Sequence, residues 1–438
     1  MTIARKRLPQ LFFPIFLETL CTMLAGIVDT LMLSAEGDQA VGAVGTATTY
    51  INIFLILFFV ISSGMTAVMT QYIGAGRPGI ARRVMGLGLL FNLVFGTLVT
   101  VFLFGFGGSL LEGIGIAEQL FQPAKTYLRT VGLFCICNAL IPVCSSYLRS
   151  FGHTAPAMSG TLLANVVNIV LNALFLLVFR WGVFGVALAT GISRLLQLIW
   201  VWSAARRLIR PVPDRDPPGN GELLRKVIRI GLPAAMESCL YNLAITIVIS
   251  LLNGMDDTGT QATARTYAAQ IANFSVCTGI ALAQSNAILV GWRIGAGELA
   301  LCDRGTRRVA LLGIGLGVGI AGCFALFARP ILQLFTRDPE MIRLVSRLLI
   351  VDIFLEIGRV SNLVFGDALK TSGDAIYPMV VAVVFAFLCA AAGTWFFGVK
   401  LGWLAFGAYV AMALDECVRA VFMFLRWHKG SWKTKKLS

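Results

Sequence analysis

Charge is scarce in this sequence. Asp, Glu, Lys and Arg make up 13% of its 438 residues, about half of the ~25% carried by an ordinary soluble domain, and 57% of the residues are hydrophobic. A chain so poor in charge has no means of covering a water-facing surface, and a soluble enzyme is excluded. The usual parts of an enzyme are missing too. The 2 histidines, His153 and His428, fall in short polar segments, no H-E-x-x-H occurs, and no nucleophile stands beside a plausible buried base. Cysteine is present, 10 in all, but most of these thiols sit inside apolar runs, where Cys behaves as a small hydrophobe. Cys135-Ile-Cys137 lacks a second pair or a nearby His, so neither a disulfide framework nor a metal site is expected.

What the sequence does have is long apolar runs. A helix crossing a bilayer needs about 20 apolar residues, and twelve runs of that kind are expected near 11–33, 47–70, 84–111, 125–148, 157–179, 183–205, 231–252, 262–290, 309–334, 343–368, 376–398 and 403–425. Arg5, Lys6 and Arg7 precede the first run in the manner of a signal peptide, but the run is too long for an h-region and no small-residue cleavage site follows. It is read as an uncleaved first span. Between Arg206 and Arg229 lies the one long polar stretch, with Pro211, Pro213, Pro217, Pro218 and Gly219, which reads as a solvated linker without helix or strand. The expected domains are a six-helix lobe over 1–205, a cytoplasmic linker over 206–230, a second six-helix lobe over 231–426 and a basic cytoplasmic tail over 427–438.

The 36 Lys and Arg exceed the 22 Asp and Glu, and their placement explains the excess. With the amino terminus in the cytoplasm, most fall on cytoplasmic segments, among them Arg77, Arg82, Arg83, Arg149, Arg304, Arg307, Arg308 and the tail lysines, whereas the outer set is short: Lys125, Arg129, Arg180, Arg329, Arg337, Arg343, Arg347 and Lys400. Glu112, Glu118, Asp256 and Asp257 fall on the outer side. The net charge of +14 thus reports membrane topology and contact with anionic lipid, not nucleic-acid binding. Both termini are expected inside.

The two halves repeat. Pro14 and Glu18 return as Pro233 and Glu237, Ile73-Gly74-Ala75-Gly76 returns as Ile294-Gly295-Ala296-Gly297, and Leu148-Arg149 with Gly152 and Pro156 is answered by Leu369-Lys370 with Gly373 and Pro378, each about 220 residues further on. Six spans per half, an even number, make this a parallel repeat, an architecture of secondary transporters whose substrate site lies between halves near the midplane. The two Ile-Gly-Ala-Gly segments are read as helix terminators, not phosphate-binding loops.

Several segments are similar to the MATE (multidrug and toxic compound extrusion) exporters of the larger flippase-like superfamily, over essentially the whole chain. They are Gly26-Ile27-Val28-Asp29-Thr30, the two Ile-Gly-Ala-Gly turns, Asn168-Ile169-Val170-Leu171-Asn172, Ala368-Leu369-Lys370-Thr371-Ser372-Gly373-Asp374, and Asp415-Glu416 with Arg419. The resemblance implies an all-α multi-pass protein of twelve spans in two lobes forming a V. It implies export of amphipathic, often cationic compounds from the cytoplasm across a bacterial inner membrane in exchange for H⁺ or Na⁺. The alternative within the superfamily is a lipid-linked precursor flippase, which is expected to line its cavity with several arginines. Two departures stand out: Asn172 occupies a position that is Asp in many members, and Ser34-Ala35-Glu36-Gly37 replaces a commoner basic turn.

An ionisable residue inside a span is a functional candidate by default. Asp29 falls in the outer half of the first span. Asn165, Asn168 and Asn172 share one helical stripe, which suits either a site for a cation and the Asp29 carboxyl or an interhelical hydrogen-bond seam. In the second half Asp352, Glu356 and Arg359 share a face, with Glu237, Asp415 and Glu416 at similar depth. They form either a cation-coupling cluster around one arginine or charges that simply neutralise one another. Glu18 reads as structural. No cofactor is expected beyond the coupling ion. Small organic substrates and the lipid bilayer are the expected partners, and a monomer suffices because the duplicated chain already holds both walls of a cavity.

Overall fold

A computed structural model describes residues 6–34, 36–113, 116–210, 214, 216–256 and 258–437. Arg5, Ala35, Pro211, Pro213 and Asp257 lie outside the described residues. Among those described, secondary structure is helical and no strand occurs, as hydrocarbon requires of a backbone that must satisfy its own hydrogen bonds.

The helices are α1 (Leu8–Ser34), α2 (Asp38–Gly74), α3 (Pro78–Gly113), α4 (Glu118–Leu133), α5 (Cys135–Ser150), α6 (Thr154–Ala173), α7 (Gly182–Leu208), α8 (Asn220–Asn253), α9 (Thr260–Gly295), α10 (Leu299–Leu326), the short α11 (Ala328–Leu332), α12 (Pro339–Ser372), α13 (Ile376–Phe385) and α14 (Leu404–His428). Nine helices among the described residues are long and apolar enough to cross a bilayer, and ten if α4 and α5, bent by 46° at Phe134, make one broken span. Two more, α12 and α14, have the length but carry acids and an arginine mid-helix: Asp352, Glu356 and Arg359 in one, Asp415, Glu416 and Arg419 in the other. Leucines and phenylalanines such as Leu98, Leu177, Leu311 and Phe354 stand more than half exposed, the surface a lipid solvent calls for.

Contacts divide the chain into two compact units, with the boundary between Leu232 and Pro233 inside α8. In the first, Ala43 and Ala47 of α2 pack with Leu103 of α3, Leu128 of α4 and Cys135 of α5, all fully buried. In the second, Val248 of α8, Ala264 and Ala268 of α9, Leu332 of α11, Val345 of α12 and Ala408 of α14 do the same.

The polar stretch expected to lack helix is helical at both ends. α7 continues to Leu208 and α8 begins at Asn220, because the prolines are confined to 211–218 and Glu222 pairs with Lys226 one turn on at 2.8 Å. What remains of the linker is anchored. Arg77, just past α2, grips Asp214 with two hydrogen bonds of 2.9 Å and also donates to the Asp216 carbonyl. The tail is likewise folded. Trp432 stacks on Trp427 at 4.2 Å, and Lys435 and Arg426 bind the two oxygens of Asp374 at 2.6 and 2.8 Å.

The repeat extends into local geometry. α2 ends at Gly74 and α9 at Gly295, and in each turn the fourth residue, Gly76 or Gly297, takes the left-handed conformation at φ 78° and 77°, which a side chain would strain. The next amide in each closes back on the helix, Arg77 N–H to the Tyr72 carbonyl at 2.9 Å and Glu298 N–H to the Arg293 carbonyl at 2.8 Å, so the segments are helix terminators. A second repeated device follows the π-helical turns Leu174–Val178 and Thr394–Lys400. There Phe175 stacks on Trp181 at 4.9 Å and Phe397 on Trp403 at 5.8 Å, with Phe184 and Phe406 as third rings. Trp181, Phe184, Trp403 and Phe406 are exposed, as suits aromatics at a membrane interface.

Candidate functional site

Glu18 and Glu237, the repeated acids, have equivalent partners. Glu18 of α1 meets Arg149 near the end of α5 at 2.5 Å, and Glu237 of α8 meets Lys370 near the end of α12 at 3.1 Å. The repeat therefore preserves an ion pair between the first helix of each half and the end of its fourth span. In the second unit the pair has become a triad, since Asp367 also lies 3.3 Å from Lys370.

In the first unit, α1 and α6 pack so that the Asn stripe faces α1. Asn172, fully buried, donates to the Asp29 carboxylate at 3.0 Å and to the Asn168 carbonyl at 3.2 Å, and Asn168 donates to Thr190 of α7 at 3.4 Å. Asn165 is drawn off to the backbone carbonyl of Cys21 at 3.0 Å. Asp29, Asn168 and Asn172 thus form one group, while Asn165 belongs to the helix seam. The buried Oδ1 of Asn172 has no hydrogen-bond partner among the described residues, leaving an acceptor oxygen beside a carboxylate. Half-buried Arg194 of α7 is close enough to Asp29 to interact electrostatically, and a hydrogen-bonded chain leads on through Gln197 (2.9 Å) and Thr161 (3.0 Å) to Glu18 (3.3 Å). The sequence shows Arg194 as a base within a span but says nothing of this chain, because its members lie on three helices.

The second unit holds a cavity of about 380 Å³ walled by α8, α9, α12 and α14. Four acids line it, Glu237, Asp352, Asp367 and Glu416, and four bases, Arg265, Arg359, Lys370 and Arg419. Glu356 and Asp415 stand directly behind. The expected cluster around one arginine is in fact divided among several bases. Arg359 hydrogen-bonds Glu356, one turn away on α12. Arg419 holds both Asp415 at 2.7 Å and Glu416 at 2.8 Å. Asn362 donates to the other Glu416 oxygen at 3.0 Å, and the Tyr241 ring lies 5.0 Å from the Arg419 guanidinium. The reason is helix phase: residues three and four apart on one helix meet first. Asp352 and Arg265 have no such neighbour. Asp352 is 2% exposed, and no hydrogen bond or ion pair joins it or Arg265 to a described residue.

The clusters on α12 and α14 are brought together by Gly358. A Cβ at that position would lie 2.5 Å from the Cys417 nitrogen and the Glu416 carbonyl carbon, so only glycine allows the two backbones this close. That approach sets Glu356 and Arg359 beside Glu416 and Arg419.

Helices long and apolar enough to cross a bilayer, with paired charges and a polar cavity among them, define a multi-pass membrane protein with a polar interior. The family model MatE matches residues 14–174 and again 233–396, one match in each half, and the chain belongs to this family. It is 30% identical to "Uncharacterized transporter YisQ" of Bacillus subtilis over 98% of this chain and 95% of that protein. It is 25% identical to "Probable multidrug resistance protein NorM" of Thermotoga maritima over 98% and 94%. The fold also matches a solved structure described as the outward-facing conformation of a multidrug resistance MATE family transporter of the MOP superfamily, with a TM-score of 0.88 at 18% identity and coverage of 98% and 96%. A second match, at TM-score 0.87 and 18% identity over 98% and 96%, is a MOP superfamily transporter from Pyrococcus furiosus whose binding pocket is described as reversed in polarity.

Proposed function

We propose that this protein is a cation-coupled exporter of amphipathic organic compounds, cationic drugs among them, which moves H⁺ or Na⁺ inward across a bacterial inner membrane as substrate leaves. Twelve spans with both termini cytoplasmic fit this reading, with α12 and α14 counted as the charged crossings, and one chain acts alone. The carrying observation is an excess of acid around the second unit's cavity, four of its carboxylates buried. Around the second unit's cavity six carboxylates (Glu237, Asp352, Glu356, Asp367, Asp415 and Glu416) face four bases, and two of the bases, Lys370 and Arg419, each serve two acids. An uncompensated charge in hydrocarbon is costly, and a bound proton or Na⁺ relieves it. Asp29, beside the unpartnered Asn172 oxygen, supplies a carboxylate of the same kind in the first unit. Relatives named as probable multidrug resistance proteins support the substrate class. A flippase for anionic lipid-linked precursors calls for unopposed bases, whereas three of the four bases here are matched by acids.

The test is transport by protein in liposomes with proton and sodium gradients clamped separately. Efflux of ethidium driven by one gradient, and reduced at least ~10-fold by Asp29→Asn or Asp415→Asn, is the expected result. Efflux indifferent to both gradients contradicts the proposal.

A further inference from the structure

Around the second unit's cavity five acids share three bases as ion-pair partners. Arg359 binds Glu356, Lys370 binds Glu237 and Asp367, and Arg419 binds Asp415 and Glu416. One acid and one base are left. Asp352, on α12, is 2% exposed and has no hydrogen-bond or ion-pair partner among the described residues. Arg265, on α9, lines the same cavity, and its Nε is buried without a partner. The two do not pair with each other, since no contact within salt-bridge distance joins them, although Tyr409 lies in the electrostatic range of both. A buried charge held without an ion-pair partner is destabilising; Asp352 is such a charge, with Arg359 acting on it only at longer range, and half-buried Arg265 offers the opposite charge to the same cavity.

We infer that this cavity is a binding site for small zwitterions, in which Asp352 receives an ammonium group and Arg265 a carboxylate at the other end of an apolar body. Each half of the ligand meets the charge that the protein leaves unmatched. The guanidinium offers a planar fork suited to a carboxylate, and the carboxylate of Asp352 accepts the ammonium donors. Tyr241, Leu355, Tyr409 and Met412 line the space and supply flat and flexible apolar contact for the ligand body. The volume of about 380 Å³ is at the small end of ligand pockets. A ligand bearing only a cation or only an anion leaves one protein charge unanswered, so the site discriminates by charge number as well as by shape. The inference rests on the reading of the chain as an exporter of small organic compounds and names a substrate class for it.

The experiment uses full-length protein in nanodiscs and three probes on one ring: 4-(aminomethyl)benzoate, which is zwitterionic, its methyl ester, which is cationic, and 4-methylbenzoate, which is anionic. Calorimetric titration is expected to show the zwitterion binding at least about tenfold tighter than either singly charged probe. Asp352→Asn is expected to erase its advantage over 4-methylbenzoate, and Arg265→Gln its advantage over the ester. Arg265→Lys, which keeps the charge and loses the fork, retains part of the preference, and monodispersity on size exclusion shows that each variant is folded. Equal affinity for the three probes, no binding by wild-type protein, or a preference that survives both neutralising variants overturns the inference. Ethidium efflux in liposomes from the same preparation separates the two readings. Gradient-driven efflux without zwitterion preference removes only the site, and zwitterion preference without gradient-driven transport of either compound removes the exporter reading and leaves the site.

Discussion

At the scale of single residues, the repeated ion pair shows how one physical problem is solved twice. Glu18 is 9% exposed, and its charge is tolerated because Arg149 meets it. Removing one partner of a buried pair strands the other and typically costs about 3 kcal/mol or more. Glu18→Gln should therefore lower the melting temperature in detergent clearly, whereas Arg149→Lys should nearly preserve it, because the second unit already uses Lys370 in the equivalent place. A melting curve in which both variants fall alike would show that a lysine cannot replace Arg149 in this pair. Glu18 was legible as a shared structural residue from its recurrence after a proline. Its partner was not, since 131 residues separate the two and only the packing of α1 with the following spans brings them together.

Among the elements, α12 and α14 carry the charges and Gly358 sets their distance. Gly358→Val would put branched carbon where backbone atoms stand 2.5 Å away, and overpacking of this kind costs about 1–3 kcal/mol. Thermal unfolding should register that loss, and cross-linking between the native Cys417 and a cysteine introduced at 357 should fall as the helices part. The linker offers a pH test outside the membrane. Arg77 hydrogen-bonds the Asp214 carboxylate and holds it below its ordinary value of 3.8. A carboxylate with a depressed value stabilises the folded state above its ordinary pKa and loses that contribution as pH falls through the depressed one. Docking of the linker on Arg77, followed by the fluorescence of a dye at 219, should stay constant between about pH 7 and pH 5 and be released only below about pH 4. Release near neutrality would mean that Asp214 is not the anchor. The Pro-rich composition at 211–218 was readable as a break in helix, but the extent of the linker was not, because the Glu222–Lys226 pair and packing against α2 let helix begin at Asn220.

For the whole molecule, topology is the testable quantity. Cysteines placed at Gly219 and Thr258, both exposed, should react with a membrane-impermeant maleimide from opposite sides of the membrane, Gly219 from the cytoplasm and Thr258 from outside. Labelling of both from one side would refute the twelve-span count. The apolar runs announced most of these crossings because a lipid-spanning helix leaves a signal within its own sequence, and the duplication was visible because its landmarks keep their spacing. Charge placement also gave the expected orientation without any coordinates, since Lys and Arg near span ends respond to the membrane and not to distant residues.

Sequence alone determined what kind of solvent this protein lives in, how its chain is repeated and which residues are too polar for their surroundings, because each of those is a local property of composition and period. Tertiary structure decided the partners: that Asp29 meets Asn172, that Arg419 and not Arg359 holds Asp415 and Glu416, and that Asp352 and Arg265 are left facing a shared space. A charge buried in hydrocarbon is defined by what stands within a few ångströms of it, and in a helical bundle those neighbours come from other helices, far away along the chain.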